Sequence, residues 1–349
     1  MDRPFSYRNK TALPVGGSSE EPALGFFAPR SHNLIPVVSC PNAMPPAGRI
    51  AQVFLQWMKK HHIAPYHEET HQGTVRHLVI RVNREGKAMV TTVINALSLP
   101  HLEELQRILE PIGVISLYLN INISRTNVIF SDRFQLIYGC ETLMDTLCGL
   151  QFSLSPASFF QVNPFQTEKL YETALSFAHL SSGDTICDVY CGAGTITLMM
   201  ARHCAHVTGI EIVPAAIENA MENARRNQIT NADFLAGKAE VLLPQMVSDG
   251  LRPNVIIVDP PRKGLDPEVI TAIAQASPSR LVYISCNAAT LARDIALLIQ
   301  HNYVLQKVQP VDMFPYTSHV ETVCCLYHQR DKFISVPYEP KEAEYLEKI

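Results

Sequence analysis

The chain contains no C-x-x-C pair, although it has nine cysteines: Cys40, Cys140, Cys148, Cys187, Cys191, Cys204, Cys286, Cys324 and Cys325. Their number is odd and their spacing irregular, which argues against a disulfide framework and against a zinc ribbon. Most lie in apolar, strand-like runs and read as small buried hydrophobes. No apolar run is long enough to cross a bilayer, and the N-terminus lacks the basic-then-apolar pattern of a secretory signal. A cytoplasmic protein with no membrane partner is expected. Positive charge is not in excess. A net charge of -4 argues against a general basic coat and leaves only local basic surface for contact with nucleic acid. There is no internal repeat.

What is present is ample apolar material. Hydrophobic residues make up 47% of the 349, enough for a sizeable core and about two domains. Residues 1–48 are rich in Pro, Gly and Ser and read as loops and short extended pieces. Residues 49–63 have helical apolar spacing through Ile50, Val53, Phe54 and Trp57. "VRHLVIRVN" and "KAMVTTVIN" flank the turn "NREGK" as a hairpin, and "LPHLEELQRILEPIG" is a helix stopped by Pro111 and Gly113. "VISLYLNIN", "NVIFS" and "FQLIYGC" read as further strands. The spacing thus predicts an α+β domain with an antiparallel sheet over 1–153. From 154 to 330 strand and helix alternate, the pattern of a doubly wound α/β sheet of Rossmann type. Its last two strands pair as an antiparallel hairpin at the edge. Residues 331–349 form a charged tail.

"DVYCGAGTITL" (188–198) reads as a strand end, a G-x-G turn and a helix start. Gly192 and Gly194 let backbone pass close to a ligand, and the helix N-terminus offers free N–H groups. Glu211 ends the next strand, nineteen residues beyond Gly192, where a carboxylate can accept hydrogen bonds from ribose hydroxyls. The pattern alone fits NAD, FAD and S-adenosylmethionine alike, or a plain strand–helix turn. Thr197 stands where a dinucleotide fingerprint has its third glycine. "IIVDPPR" (256–262) puts Asp259 and two prolines at a strand end, a rigid acidic wall suited to a cationic ligand. Both details favour S-adenosylmethionine.

Cys286 ends the strand after that loop, on the carboxyl edge of the sheet, where open α/β sheets place ligands. A helix starting at Ala288 or Ala289 is expected to lower its thiol pKa. "DMFPYTSHVETV" (312–323) brings His319 and Glu321 to the loop before the final strand, and Glu321 can serve as a general base.

"SCNAATLARD", "VQPVDMFPYTSHVETV", "VDPPRKGL", "DVYCGAGT" and "SFFQVNPFQTEKLY" together resemble the RNA 5-methyluridine (uracil-5-) methyltransferases. The wording "QPVDMFPYTSHVE" is closest to the bacterial 23S rRNA branch, with tRNA as the other target. The N-terminal "FSYRNKTALPVGG" extends the resemblance over nearly the whole chain. It implies a Rossmann-like methyltransferase domain preceded by a smaller α+β domain, with S-adenosylmethionine as cofactor. It implies Cys286 as the nucleophile that adds to carbon 6 of uracil and Glu321 as the base that removes the carbon 5 proton. Gln161, Tyr190, Gly192, Thr195, Glu211 and Asp259 match cofactor contacts. Among local basic clusters, Arg3, Arg8 and Lys10 and then Arg262 and Lys263 are expected to hold RNA ahead of Lys59 and Lys60; His319 is a further substrate contact.

The sequence departs from the family in having Ala288 where proline usually follows "SCN". It also starts near where an N-terminal β-barrel RNA-binding domain would end, so that domain is expected to be absent. Some members bind an iron–sulfur cluster through N-terminal cysteines. Only Cys40, Cys140 and Cys148 lie on that side here, so no cluster and no metal is expected. The expected partner is RNA and the expected state a monomer. Three other readings stay open: an amino-group base methyltransferase, which would not need Cys286; a non-catalytic RNA-binding or assembly factor, which would need neither Cys286 nor Glu321; and an NAD-dependent dehydrogenase.

Overall fold

The computed structural model describes residues 4–37 and 39–329. The charged tail and Arg3 lie outside the described residues. The first half forms β1 (Lys10–Gly17), β2 (Pro22–Phe27), β3 (Leu34–Pro36), α1 (Pro45–Lys60), β4 (Val75–Val82), β5 (Ala88–Ile94), α2 (Leu102–Leu109), β6 (Val114–Ile121) and β7 (Phe134–Gly139). These strands make one seven-stranded sheet in the order β3-β2-β1-β4-β5-β6-β7. Ile50, Phe54 and Trp57 recur on one side of α1 and are fully buried in this sheet's core, as their helical spacing requires.

Three expectations for this half need correction. The sheet is mixed, because β5 and β6 run parallel. Helix α2 carries the chain back across the sheet between them, so the second strand repeats the direction of the first. Residues 10–36 hold three strands paired into the sheet, more order than the loops and short extended pieces expected. Their Pro and Gly content hid them, yet β1 joins the hairpin with β2 to the long strand β4. "NVIFS" is not a strand: Asn122 Nδ2 donates to the carbonyls of Val128 (2.8 Å) and Ile129 (3.0 Å), folding this stretch into a loop.

A hairpin, β8 (Leu143–Leu147) and β9 (Leu150–Leu154), follows. Its two-residue turn places Cys148 and Gly149 at φ of +51° and +73°. Both central residues of such a turn are left-handed, a role usually filled by Asn, Asp or Gly, so Cys148 concealed it. Leu147, Leu150, Phe152 and Leu154 pack into the core of the second sheet.

That sheet is built from α3 (Pro164–Ala178), β10 (Thr185–Val189), α4 (Thr195–Ala201), β11 (His206–Glu211), α5 (Pro214–Arg226), β12 (Ala232–Ala236), α6 (Ala239–Ser248), β13 (Val255–Val258), α7 (Pro267–Ala276), β14 (Arg280–Ser285), α8 (Ala288–Gln300), β15 (Tyr303–Val311) and β16 (Glu321–His328). The strand order is β12-β11-β10-β13-β14-β16-β15, with β10 to β14 parallel and the β15/β16 hairpin closing one edge. Helices cover both faces over two apolar cores, as the alternation predicts. Helix α6 went unread because Pro244 interrupts its apolar run.

Asp294 fixes the loop after β13. Fully buried, it accepts from the Tyr283 hydroxyl (2.7 Å), the Leu265 N–H (2.8 Å) and Arg293 Nε (2.8 Å). Asp294→Ala leaves a buried phenol and a buried N–H unpaired and should destabilise the fold by about 2–5 kcal/mol. A urea titration against Asp294→Asn, which keeps acceptor capacity, checks this; equal stability of wild type and Asp294→Ala would show that the network carries no net stability.

Candidate active site

The strand order reverses between β10 and β13. Both neighbours of β10 run parallel to it, so the loops at their carboxyl ends part and leave a crevice. The β10–α4 turn forms one wall. Tyr190, Gly192 and Gly194 there have φ of +73°, +56° and +80°. A side chain on Gly194 would meet Ala220 Cβ at 3.0 Å and the Phe234 ring at 3.1 Å, so this glycine serves packing. One on Gly192 would meet nothing within 4 Å; that glycine leaves open space facing the crevice.

Glu211, at the tip of β11, accepts from the backbone N–H of Gly192 (3.2 Å) and of Val213 (2.9 Å). These bonds hold its carboxylate at the crevice. Asp188, at the end of β10, is fully buried and accepts from the Thr197 hydroxyl through one oxygen (2.6 Å). Its other oxygen and the Tyr190 hydroxyl are buried without a partner. Burial pushes Asp188 up to about 7.

Strand pairing brings Cys286 and Glu321 together. β14 and β16 are antiparallel with Ser285 opposite Thr322. Cys286 directly follows the last residue of β14 and Glu321 is the first of β16, so this register brings the two to the same end of the strand pair. The Cys286 corner is stiff: Ser285 Oγ donates to Asn287 O (3.0 Å), and Asn287 Oδ1 caps α8 by accepting from Ala289 N–H (3.0 Å). Asn287 Nδ2 and Thr290 Oγ1 also donate to the Arg262 carbonyl (3.2 and 3.3 Å), tying down the loop after Pro261.

The thiol is not acidified as the helix start led us to expect. Burial raises the Cys286 pKa, and Glu321 and Asp259 raise it further. The backbone and Arg262 pull the other way and are outweighed. Burial also pushes Glu321 up to about 7, with Arg262 opposing. Asp259 goes to about 8, through burial first and then its neighbours Glu321 and Asp188.

The loop 155–163 closes the opposite wall and is held from both sides. Arg81 on β4 donates to Ser158 O (2.5 Å), Asn9 donates through Nδ2 to Gln161 O (3.1 Å), and Asn163 Nδ2 donates to Met313 O (2.9 Å). The enclosed cavity measures about 1040 Å³. Cys286, Glu321, Gln161, Tyr190, Gly192, Glu211, Asp259, Arg8, Arg262 and His319 all line it. Thr195 does not: it starts α4, and its hydroxyl pairs with the Tyr171 hydroxyl (3.1 Å). Lys263 reaches the wall, paired with Asp266 (2.7 Å), whereas Lys10 does not reach it and Lys60 pairs with Glu104 (2.6 Å). Asp188, Asn9 and Arg81 were not singled out from the sequence. Asp188 lies in the quoted "DVYC" and was open to notice; Asn9 and Arg81 act across the fold and left no local signal.

The family model of the tRNA (uracil-5-)-methyltransferases matches residues 141–329. An uncharacterized RNA methyltransferase of Clostridium tetani is 41% identical over 335 residues, covering 95% of this chain and 73% of its own. Another, from Clostridium acetobutylicum, is 43% identical over 93% of this chain and 71% of its own. The chain belongs to the tRNA (uracil-5-)-methyltransferase family. It is thus an S-adenosylmethionine-dependent RNA methyltransferase. Among solved structures, the tRNA (uracil-54, C5)-methyltransferase of Pyrococcus abyssi, in complex with S-adenosyl-L-homocysteine, is similar with a TM-score of 0.79 and 26% identity, covering 93% of this chain and 76% of its own. No group of three or more His, Cys, Asp or Glu among the described residues is arranged to hold a metal ion.

The cavity suits S-adenosylmethionine on its own features. It offers open space over Gly192, an unpartnered Tyr190 hydroxyl, the Glu211 carboxylate and an acidic wall at Asp259. Asp188, Asp259 and Glu321 have pKa values raised above those of an unfolded chain, so the native state binds their protons more tightly. Their contribution to stability is therefore full below the ordinary carboxylate range and is lost as pH rises through about 7 to 8. The melting temperature of the free protein should fall between about pH 5 and about pH 9, and the fall should be shallower in Asp259→Asn. Added S-adenosylmethionine, with its sulfonium cation, should offset the loss more than S-adenosylhomocysteine, whose sulfur is neutral, does at matched occupancy. A flat profile by calorimetry would mean that these carboxyls are not desolvated.

Proposed function

We propose that this enzyme methylates carbon 5 of a uridine in RNA through a covalent adduct between Cys286 and carbon 6. The observation that carries the reading is that Cys286 and Glu321, at the adjoining ends of the antiparallel strands β14 and β16, line one cavity with Asp259. Carbon 5 of uracil is a poor nucleophile. Addition of the Cys286 thiolate to carbon 6 pushes the ring's π electrons into an enolate and makes carbon 5 nucleophilic. Asp259, when ionised, can take the thiol's proton before it adds, which leaves the Glu321 carboxylate for the later step. S-adenosylmethionine, when bound, supplies the electrophilic methyl group that carbon 5 takes, leaving a neutral sulfide. Glu211, Gln161, Tyr190 and the backbone at Gly192 would hold it. The Glu321 carboxylate then removes the carbon 5 proton; that electron pair restores the ring double bond and expels the Cys286 sulfur. A carboxyl held near 7 suits this task, since it is ionised often enough to act and basic enough to take a carbon-bound proton.

The uridine must leave any stack to reach Cys286, so a loop or flipped nucleotide is the substrate. Arg8 and Arg262 on the cavity wall, with His319, are assigned to it. The wording of residues 309–321 favours 23S rRNA over tRNA. We assign RNA contact to residues up to 153 and methyl transfer to 154–330, and place the enzyme in the cytoplasm as a monomer.

The test uses RNA carrying 5-fluorouridine, whose fluorine cannot leave as a proton. With S-adenosylmethionine, 23S rRNA fragments should trap the wild type as an adduct stable to denaturation, and Cys286→Ala should form none. A tRNA that traps while 23S fragments do not would reassign the substrate. On ordinary uridine RNA, Glu321→Gln should turn over about 100- to 10,000-fold more slowly and accumulate adduct by mass spectrometry. Full methylation by Cys286→Ala would sink the covalent mechanism and favour an amino-group methyltransferase.

A further inference from the structure

Two large aromatic rings stand in water beside the cavity. Phe5 and Tyr316 are stacked on each other, with centroids 5.3 Å apart and planes at 21°. Phe5 is 50% exposed and Tyr316 78%. Each adjoins the cavity wall through its chain neighbours, Tyr7 and Arg8 on one side and Thr317 and His319 on the other. Non-glycine residues in left-handed conformations set them there. Ser6, at φ +55°, turns the chain so that Phe5 faces solvent while Tyr7 is 2% exposed, and Tyr316 itself has φ +63°. Apolar rings of this size are normally buried, and left-handed backbone is disfavoured for a bulky residue. Phe159, 74% exposed, stands on the loop that forms the opposite wall.

We infer that the Phe5–Tyr316 pair is a stacking platform for an unpaired nucleobase next to the target uridine, an assignment that rests on the uridine-methylating reading above. The pair is small and flat rather than a broad apolar patch, which suits one planar base better than a protein surface. Arginines stand nearby for the phosphates of an entering strand: Arg8 lies three residues from Phe5, and Arg8 and Arg262 line the cavity. The platform would hold the flanking nucleotide while the uridine drops toward Cys286, and so would contribute to the choice of site. Stacking accepts any base but favours the larger purines.

The test uses RNA hairpins whose loops are random except for one central 5-fluorouridine, trapped with S-adenosylmethionine and then sequenced. Wild-type adducts should be enriched in purine at one position next to the fluorouridine. Tyr316→Ala and Phe5→Ala should lose that preference and trap roughly 5- to 150-fold less RNA at limiting concentration, whereas Tyr316→Phe should behave as wild type. Preference is read within each variant's own adducts, so a general loss of activity does not imitate the result. Adducts with an unchanged sequence profile and yield in both alanine variants would overturn the platform and leave the uridine reading intact. No wild-type adduct, on these loops or on 23S rRNA and tRNA fragments, would overturn both.

Discussion

The proposed catalytic arrangement depends on one antiparallel register. Five parallel strands alone would put all their carboxyl ends on the same edge and supply residues only from strand ends. β16 runs against β14, so a strand beginning arrives beside a strand ending, and Glu321 comes close enough to Cys286 to act on its thiol. The pairing is firm because β16 is buried over most of its length between β14 and β15: Val323 packs in one core, Cys324 and Leu326 in the other, and Cys325 is fully buried. A slip of one residue would exchange the faces of all four and move Glu321 out of line with Cys286. The stability of the sheet edge and the alignment of the two reactive groups are therefore one constraint.

The same burial sets the electrostatics. Asp188, Asp259, Glu321 and the Cys286 thiol all resist ionising, chiefly through burial; neighbouring carboxylates add to this for Asp188, Asp259 and Cys286, while Arg262 opposes it for Glu321. A sulfonium placed among them would relieve each one. The crevice thus favours a cation over a neutral ligand of the same shape, and under the proposed mechanism it makes a thiolate easier to form once that cation is present. A strong helix-start effect at Cys286 would instead have left the thiol reactive in the empty site. Burial of the thiol and the adjacent carboxylates prevent this.

The second sheet was legible because its signals are local. Alternating apolar runs, the G-x-G turn, Glu211 after the next strand and the Asp-Pro-Pro turn each occupy a few consecutive residues. Where a local signal was masked, reading failed: Pro244 inside α6, Cys148 in a left-handed turn, and the Pro- and Gly-rich strands at the start of the chain. The direction of β6 was hidden for another reason. Strand pattern records which face is buried, whereas relative direction depends on where α2 packs.

The site was legible for the side chains that enter the cavity and not for those that position it. Gln161 reaches the cavity because its loop is tied to β4 by Arg81, to the N-terminal segment by Asn9 and to the segment before Glu321 by Asn163. These partners lie 77, 152 and 150 residues away in sequence from the groups they bind. No window of sequence contains such a bond, and none of the three residue types is unusual where it stands. The first sheet, through Arg81, and the segment leading into it, through Asn9, therefore help to shape the cavity wall that carries Gln161. The two sheets meet at the reactive centre, so a shift between them would be felt first in the position of Gln161.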